Sequence, residues 1–320
     1  MSLAQAPAEL TAGEDRKQSK PYFVVASAAV GVGIAILILY PLIAVIPQVF
    51  VEDGSVDLSV WSTAWSAAGT AGMLRNTAIL VGVGTVLAVV IGSIFAWFSE
   101  RTDARMGRVT EVLPIVPMMV PPLAGTIGWV LLLTPGPGLL NVLLRDVMGW
   151  FGRDLGLQGP LNIFSWYGLI FIYVLYMVPH VFLTVAAALR NLDPALEEAS
   201  RASGARPLTT LLRITLPAIR PSITAGALLA LVIGLSMFST PFVLGTPAGI
   251  DVLAVRIVRL TSFSFPAQLA EAVVLGSVLI LLIGSAWVLQ TRLLRAARHA
   301  TIGGKTGGEA KVVRGRSGRL

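Results

Sequence analysis

A series of long apolar runs constrains this chain more than anything else in it. They lie at about Tyr22–Ile46, Arg75–Phe98, Val112–Leu133, Trp166–Leu189, Ile223–Leu244 and Gln268–Gln290. A helix needs roughly 20 predominantly apolar residues to cross the hydrocarbon core of a bilayer, and each run is about that long. The expected fold is therefore an all-α integral membrane protein with six transmembrane helices. Composition agrees, since 55% of the 320 residues are hydrophobic and only 13% are charged, about half the charge of an average soluble domain. The first run is too long for the apolar region of a signal peptide and lacks a small-residue cleavage site, so it reads as a retained first span.

The positive charge sorts by loop. Nineteen of the 24 lysines and arginines fall in alternate segments: before residue 21, around Arg101–Arg108, from Arg190 to Arg220, and after Gln290. The intervening loops hold Arg145, Arg153, Arg256 and Arg259, with Arg75 at a boundary. Basic residues accumulate on the cytoplasmic side, which predicts both termini in the cytoplasm. The net charge of +7 thus serves orientation, and nucleic acid is not an expected partner; the bilayer is. Residues 1–21 read as a disordered cytoplasmic leader, 22–290 as the six-span domain and 291–320 as a disordered basic tail.

Between the fourth and fifth runs lies a patterned polar stretch, Asp193–Pro221. Asp193-Pro194 predicts a helix start, an N-cap oxygen followed by a proline at N1. Gly204 predicts its end, where the backbone turns left-handed. A second short helix is expected from Pro207 to about Leu216, with Leu208, Leu211, Leu212 and Thr215 on one face. Pro217 and Pro221 then set off the fifth run.

The spacing Glu198-Ala199-Ser200, three residues, Gly204, nine residues, Ile214, one residue, Leu216-Pro217 resembles the EAA signature of permease subunits in binding-protein-dependent ABC importers. Ser200 stands where the second alanine is usual. The resemblance covers about residues 70–290. It implies that the loop forms two coupling helices that dock into a cytoplasmic ABC ATPase dimer through Glu197, Glu198, Ala199, Ser200, Gly204, Ile214, Leu216 and Pro217. It also implies an extracytoplasmic solute-binding protein and a second permease unit, whether a copy, a different chain or a fused half. ATP is then used by the partner, with no cofactor bound by this chain. Arg75-Asn76-Thr77 is similar to the start of the family's core.

The third run holds Pro114, Pro117, Pro121 and Pro122 with Gly125 and Gly128. Such breaks are tolerated at membrane depth only inside a bundle or beside a water-filled cavity, which makes Pro121 and Pro122 candidates for the solute pathway or its gate. Ser239, Thr240 and Pro241 combine hydroxyls with a helix break and join that group. His180, beside Pro179, is an ionisable residue inside a span and a candidate by default; bonding to a carbonyl freed by the proline is the plainer account. Both the Pro-rich run and the Phe238–Phe242 stretch look like ferric-iron permeases, with polyamine, thiamine and phosphonate importers as alternatives.

Several chemistries are excluded. The chain has no cysteine and only His180 and His299 as histidines, so no metal site is expected. A Walker A lysine motif, HExxH and G-x-S-x-G are absent, and the chain is expected not to be catalytic. A proton-coupled secondary transporter would need carboxylates at mid-membrane, where only Glu271 comes near.

Overall fold

The computed structural model describes residues 21–52, 55–56, 59–67, 69–102 and 108–298. Residues 1–20 of the expected leader and the tail beyond Arg298 lie outside the described residues. The chain divides into two units, residues 1–57 and 58–320.

In the first unit, α1 (Pro21–Phe50) runs for 30 residues, and every side chain from Val25 to Tyr40 is exposed. Two two-residue strands follow, β1 (Val51–Glu52) and β2 (Ser55–Val56), paired antiparallel.

The second unit is helical. After the short α2 (Ser59–Ser66), which carries Trp61 and Trp65, comes α3 (Thr70–Arg101). The expected third span is not one helix. It is divided into α4 (Arg108–Val112), α5 (Val116–Met119) and α6 (Pro122–Leu133). The reason is local: a residue before proline is pushed out of the α region, and Val120 and Pro121, each preceding a proline, are extended at φ −102°, ψ 125° and φ −54°, ψ 133°. The loop expected after it contains a further helix, α7 (Leu139–Trp150). Buried Asn141 holds α7 in place, donating to the carbonyls of Thr134 (3.0 Å) and Leu161 (2.8 Å) and accepting from the Leu161 amide (3.0 Å).

α8 (Trp166–Asn191) is the centre of this unit, with Leu169, Ile172, Met177, Val181, Val185 and Leu189 fully buried. It packs against α3 and against α11 (Leu216–Ser236). Glycines allow both contacts. A Cβ on Gly92 of α3 would stand 2.9 Å from the Val181 Cβ, and one on Gly226 of α11 would stand 3.3 Å from the Val181 Cα. Three helices therefore meet closely at Val181.

Between α8 and α11 the chain forms α9 (Pro194–Ala202) and α10 (Pro207–Thr210). α10 does not stop near Leu216 as expected. It passes through a π-helical turn at Leu211–Thr215 directly into α11, giving one helical stretch from Pro207 to Ser236. Pro217 follows the π-helical turn directly, as the second residue of α11, and Pro221 is absorbed within that helix. α11 ends at Ser236, short of the expected Leu244; a second π turn, Pro241–Gly245, follows the break.

α12 (Leu253–Val258), a third π turn (Arg259–Phe263) and α13 (Leu269–Arg298) complete the chain. α13 continues past Gln290, the boundary read from the apolar pattern. Asn76 and Thr77 have a visible task here: Asn76 donates to the Asp251 carbonyl (3.1 Å), and Thr77 accepts from the Leu253 amide (2.9 Å). They fasten α3 to the start of α12. Among the described residues, five helices are long and apolar enough to cross a membrane, and α6 is a shorter apolar helix.

Candidate functional site

The loop from Asp193 to Pro217 is built by its caps. The Asp193 carboxylate accepts the Ala195 amide at 2.9 Å and starts α9. At the other end Gly204 takes φ 85°. The Gly204 amide donates to the Arg201 carbonyl (2.9 Å) and the Ala205 amide to the Ser200 carbonyl (3.1 Å), the paired bonds of a Schellman motif. Nothing stands within 4 Å of a Cβ placed on Gly204, so backbone conformation, not space, requires glycine there. Ser200 does more than replace a small residue, because its hydroxyl meets that of Thr210 at 2.9 Å and ties α9 to α10.

The two glutamates part company. Glu198 is exposed, as are Ala199 and Gly204. Glu197, expected to face a partner with Glu198, is instead 4% exposed. Its Oε1 accepts from Arg101 Nε at 3.1 Å and from the Thr215 hydroxyl at 2.7 Å, and Arg201 reaches its Oε2 at 3.5 Å. Arg101 Nη2 also donates to the Leu189 carbonyl at 2.5 Å. Helix geometry explains the split: neighbours on a helix point about 100° apart, so one carboxylate turns inward while the next turns out. Ile214, Leu216 and Pro217 are half-buried. The face expected for the second helix is divided, with Thr215 buried and Leu208 and Leu212 exposed.

The candidate pathway residues come together in part. Tyr176 of α8 donates to the Pro121 carbonyl (3.4 Å) and Tyr173, one turn away, to the Met237 carbonyl (3.3 Å). The Pro121 carbonyl also accepts the Gly125 amide (3.0 Å), so Tyr176 adds a second bond there. Thr240 is fully buried and its hydroxyl lies 3.0 Å from that of Thr126, which donates to the Pro122 carbonyl at 2.7 Å. Thr126 therefore accepts from Thr240. Pro121 and Pro122 are exposed, Ser239 is half-buried and Pro241 is buried. His180 stands apart: its Nδ1 is 3.2 Å from the Tyr176 carbonyl in its own helix. That carbonyl is one residue beyond the Leu175 carbonyl that Pro179 leaves without an amide. Thr184 donates to the His180 carbonyl.

Near the breaks, a cavity of about 490 Å³ opens between α3, α5, α6 and α8, lined by Phe95, Pro117, Trp129, Phe171 and Tyr176 among others, with no charged side chain. Arg256 and Arg259 are paired, with Glu271 (2.9 Å) and Asp251 (3.1 Å). Sequence reasoning missed Arg101, Tyr173, Tyr176 and Thr126. The tyrosines had a signal, since hydroxyl-bearing rings in a span beside proline-broken segments are ready donors for freed carbonyls.

Comparison with known proteins adds an independent line. Residues 88–299 match the family model described as binding-protein-dependent transport system inner membrane component. The ferric transport system permease protein FbpB of Actinobacillus pleuropneumoniae is 25% identical over 234 residues, covering 73% of this chain and 32% of the relative. FbpB 1 of Haemophilus influenzae is 24% identical over 269 residues, 84% of this chain and 41% of the relative. The chain thus spans less than half the length of these two proteins. The sulfate transport system permease protein CysT of Salmonella typhimurium is 26% identical over 268 residues, 82% of this chain and 90% of the relative. In fold, the chain resembles the bacterial alginate ABC transporter, solved with its alginate pentasaccharide-bound periplasmic protein. The TM-score is 0.64 at 21% identity, over 91% of this chain and 99% of that one.

Proposed function

Because the chain belongs to the family of binding-protein-dependent transport system inner membrane components, we propose that it is the permease subunit of an ATP-driven solute importer. As a multi-pass inner-membrane protein, it would form half of a translocation pathway, the other half coming from a second permease unit. The observation that carries this reading is the α9–α10 loop. Its signature residues Glu198, Ala199 and Gly204 are exposed, beside exposed Leu196, Leu208 and Leu212. Large apolar side chains left exposed on a polar loop fit a protein-docking surface. In this reading α9 and α10 are the coupling helices, they face the cytoplasm with both termini, and a separate ABC ATPase dimer hydrolyses the ATP. An extracytoplasmic binding protein delivers the solute, and no cofactor is bound by this chain.

Ferric iron is the solute we propose, on the likeness to the two ferric-type permeases. A second reading, an oxyanion such as sulfate, is favoured by one observation: the sulfate permease is matched over nearly its whole length. Uptake of radiolabelled ferric iron against sulfate and spermidine, in cells with and without this chain, separates them.

Co-purification tests the central claim. The wild-type chain is expected to retain an ATPase subunit, Glu198→Ala to retain less, and Gly204→Trp to lose it. Equal retention by all three, or none by the wild type, overturns the assignment.

A further inference from the structure

One buried carboxylate joins four elements. Glu197 belongs to α9; Arg101, which grips it, ends α3; the same guanidinium holds the Leu189 carbonyl at the end of α8; and Thr215, which donates to it, stands at the foot of α11. Both members of the ion pair are about 5% exposed. The residue before Arg101 repeats the tie, as Glu100 pairs with Arg190 of α8 at 2.8 Å.

Resting on the reading of α9 and α10 as the ATPase-docking element, we propose that Arg101 and Glu197 are positioning residues that lock this loop to α3, α8 and α11 as one rigid body. The physical reason is the cost of partial separation. Apolar side chains slide past one another with little change in energy, whereas a buried ion pair pulled apart leaves a charge without compensation in a poor solvent for it. The loop therefore does not move alone. A displacement imposed on its exposed face passes to three membrane helices together, through residues that do not themselves touch the partner.

The chain has no cysteine, so spin labels can be placed at will. Phe98→Cys on α3 and Ala195→Cys on α9, both exposed positions, report the distance across the joint by dipolar EPR. The full-length chain is measured with its co-purified ATPase, without nucleotide and with ATP under conditions that block hydrolysis. The expected result is one narrow distance distribution, the same in both states. In Glu197→Gln that single distribution is lost, while the ATPase is still retained.

A distance that shifts with nucleotide in the wild type overturns the proposal. So does a Glu197→Gln distribution as narrow as the wild type's. If Glu197→Gln fails to reach the membrane, Thr215→Val, which removes one hydrogen bond to the carboxylate and keeps the ion pair, takes its place with a broadened distribution expected. If no ATPase co-purifies, the docking reading fails, yet comparing wild type and variant in the chain alone still decides whether the joint is rigid.

Discussion

At the scale of single residues, Glu197 and Glu198 show how adjacent identical side chains acquire opposite tasks. Removing one partner of a buried ion pair strands the other, at a cost of about 3–5 kcal/mol, whereas a surface substitution away from such features stays within about 0.5 kcal/mol. Glu197→Ala is therefore expected to lower the unfolding temperature of the purified chain sharply, and Glu198→Ala to leave it nearly unchanged. Equal effects would contradict the burial difference. None of this was legible in the sequence, where both are carboxylates in the first turns of a capped helix. What separates them is Arg101, 96 positions away. Gly204 was legible because its requirement is local: a helix end followed by a left-handed turn.

At the scale of elements, the expected boundaries failed where prolines were weighed one at a time. Four prolines in the third run were recognised as breaks, but their pairing at Pro121-Pro122 opens the helix over two extended residues and parts α5 from α6, while a turn at residues 113–115 parts α4 from α5. Pro217 and Pro221 were read as setting off the fifth run, and yet the helix runs through both, the first directly after the π-helical turn and the second inside α11. The hydroxyl pair that joins the two breaks gives an asymmetric prediction. Thr240→Val leaves Thr126 still bonded to the Pro122 carbonyl and is expected to cost about 1 kcal/mol. Thr126→Val takes the acceptor away from a fully buried Thr240 hydroxyl and is expected to cost more, about 1–3 kcal/mol. Thermal unfolding of the two variants checks the order. Helix crossings give another. Gly92→Ala drives a methyl into Val181 and is expected to destabilise by about 1–3 kcal/mol. Gly82→Ala, with nothing within 4 Å of its Cβ, is expected to be tolerated, as folded yield from membranes will show.

At the scale of the whole molecule, the long apolar helices were legible in the sequence, because bilayer thickness sets helix length. The sequence could not show which helix lies at the centre, since α3 and α8 are both long apolar runs and only tertiary packing distinguishes them. The orientation proposed from charge is open to a direct check. Ser203→Cys is expected to react with a membrane-impermeant maleimide only from the cytoplasmic side, and Asp154→Cys only from the other. Labelling of both from one side would refute the topology.

The continuity of α10 with α11 has a mechanical result. The 30 residues from Pro207 to Ser236 make a rod about 45 Å long at 1.5 Å per residue, longer than the roughly 30 Å hydrocarbon core it crosses. This rod is fastened twice, at Thr215 by Glu197 and at Gly226 by the crossing with Val181, points about 16 Å apart along it. A plank on one bolt swings, and a plank on two does not. In the docking reading proposed above, a push at the foot of this rod is shared with α3 and α8 through those two fastenings, and the only helix-interior prolines of the rod, Pro217 and Pro221, lie between them.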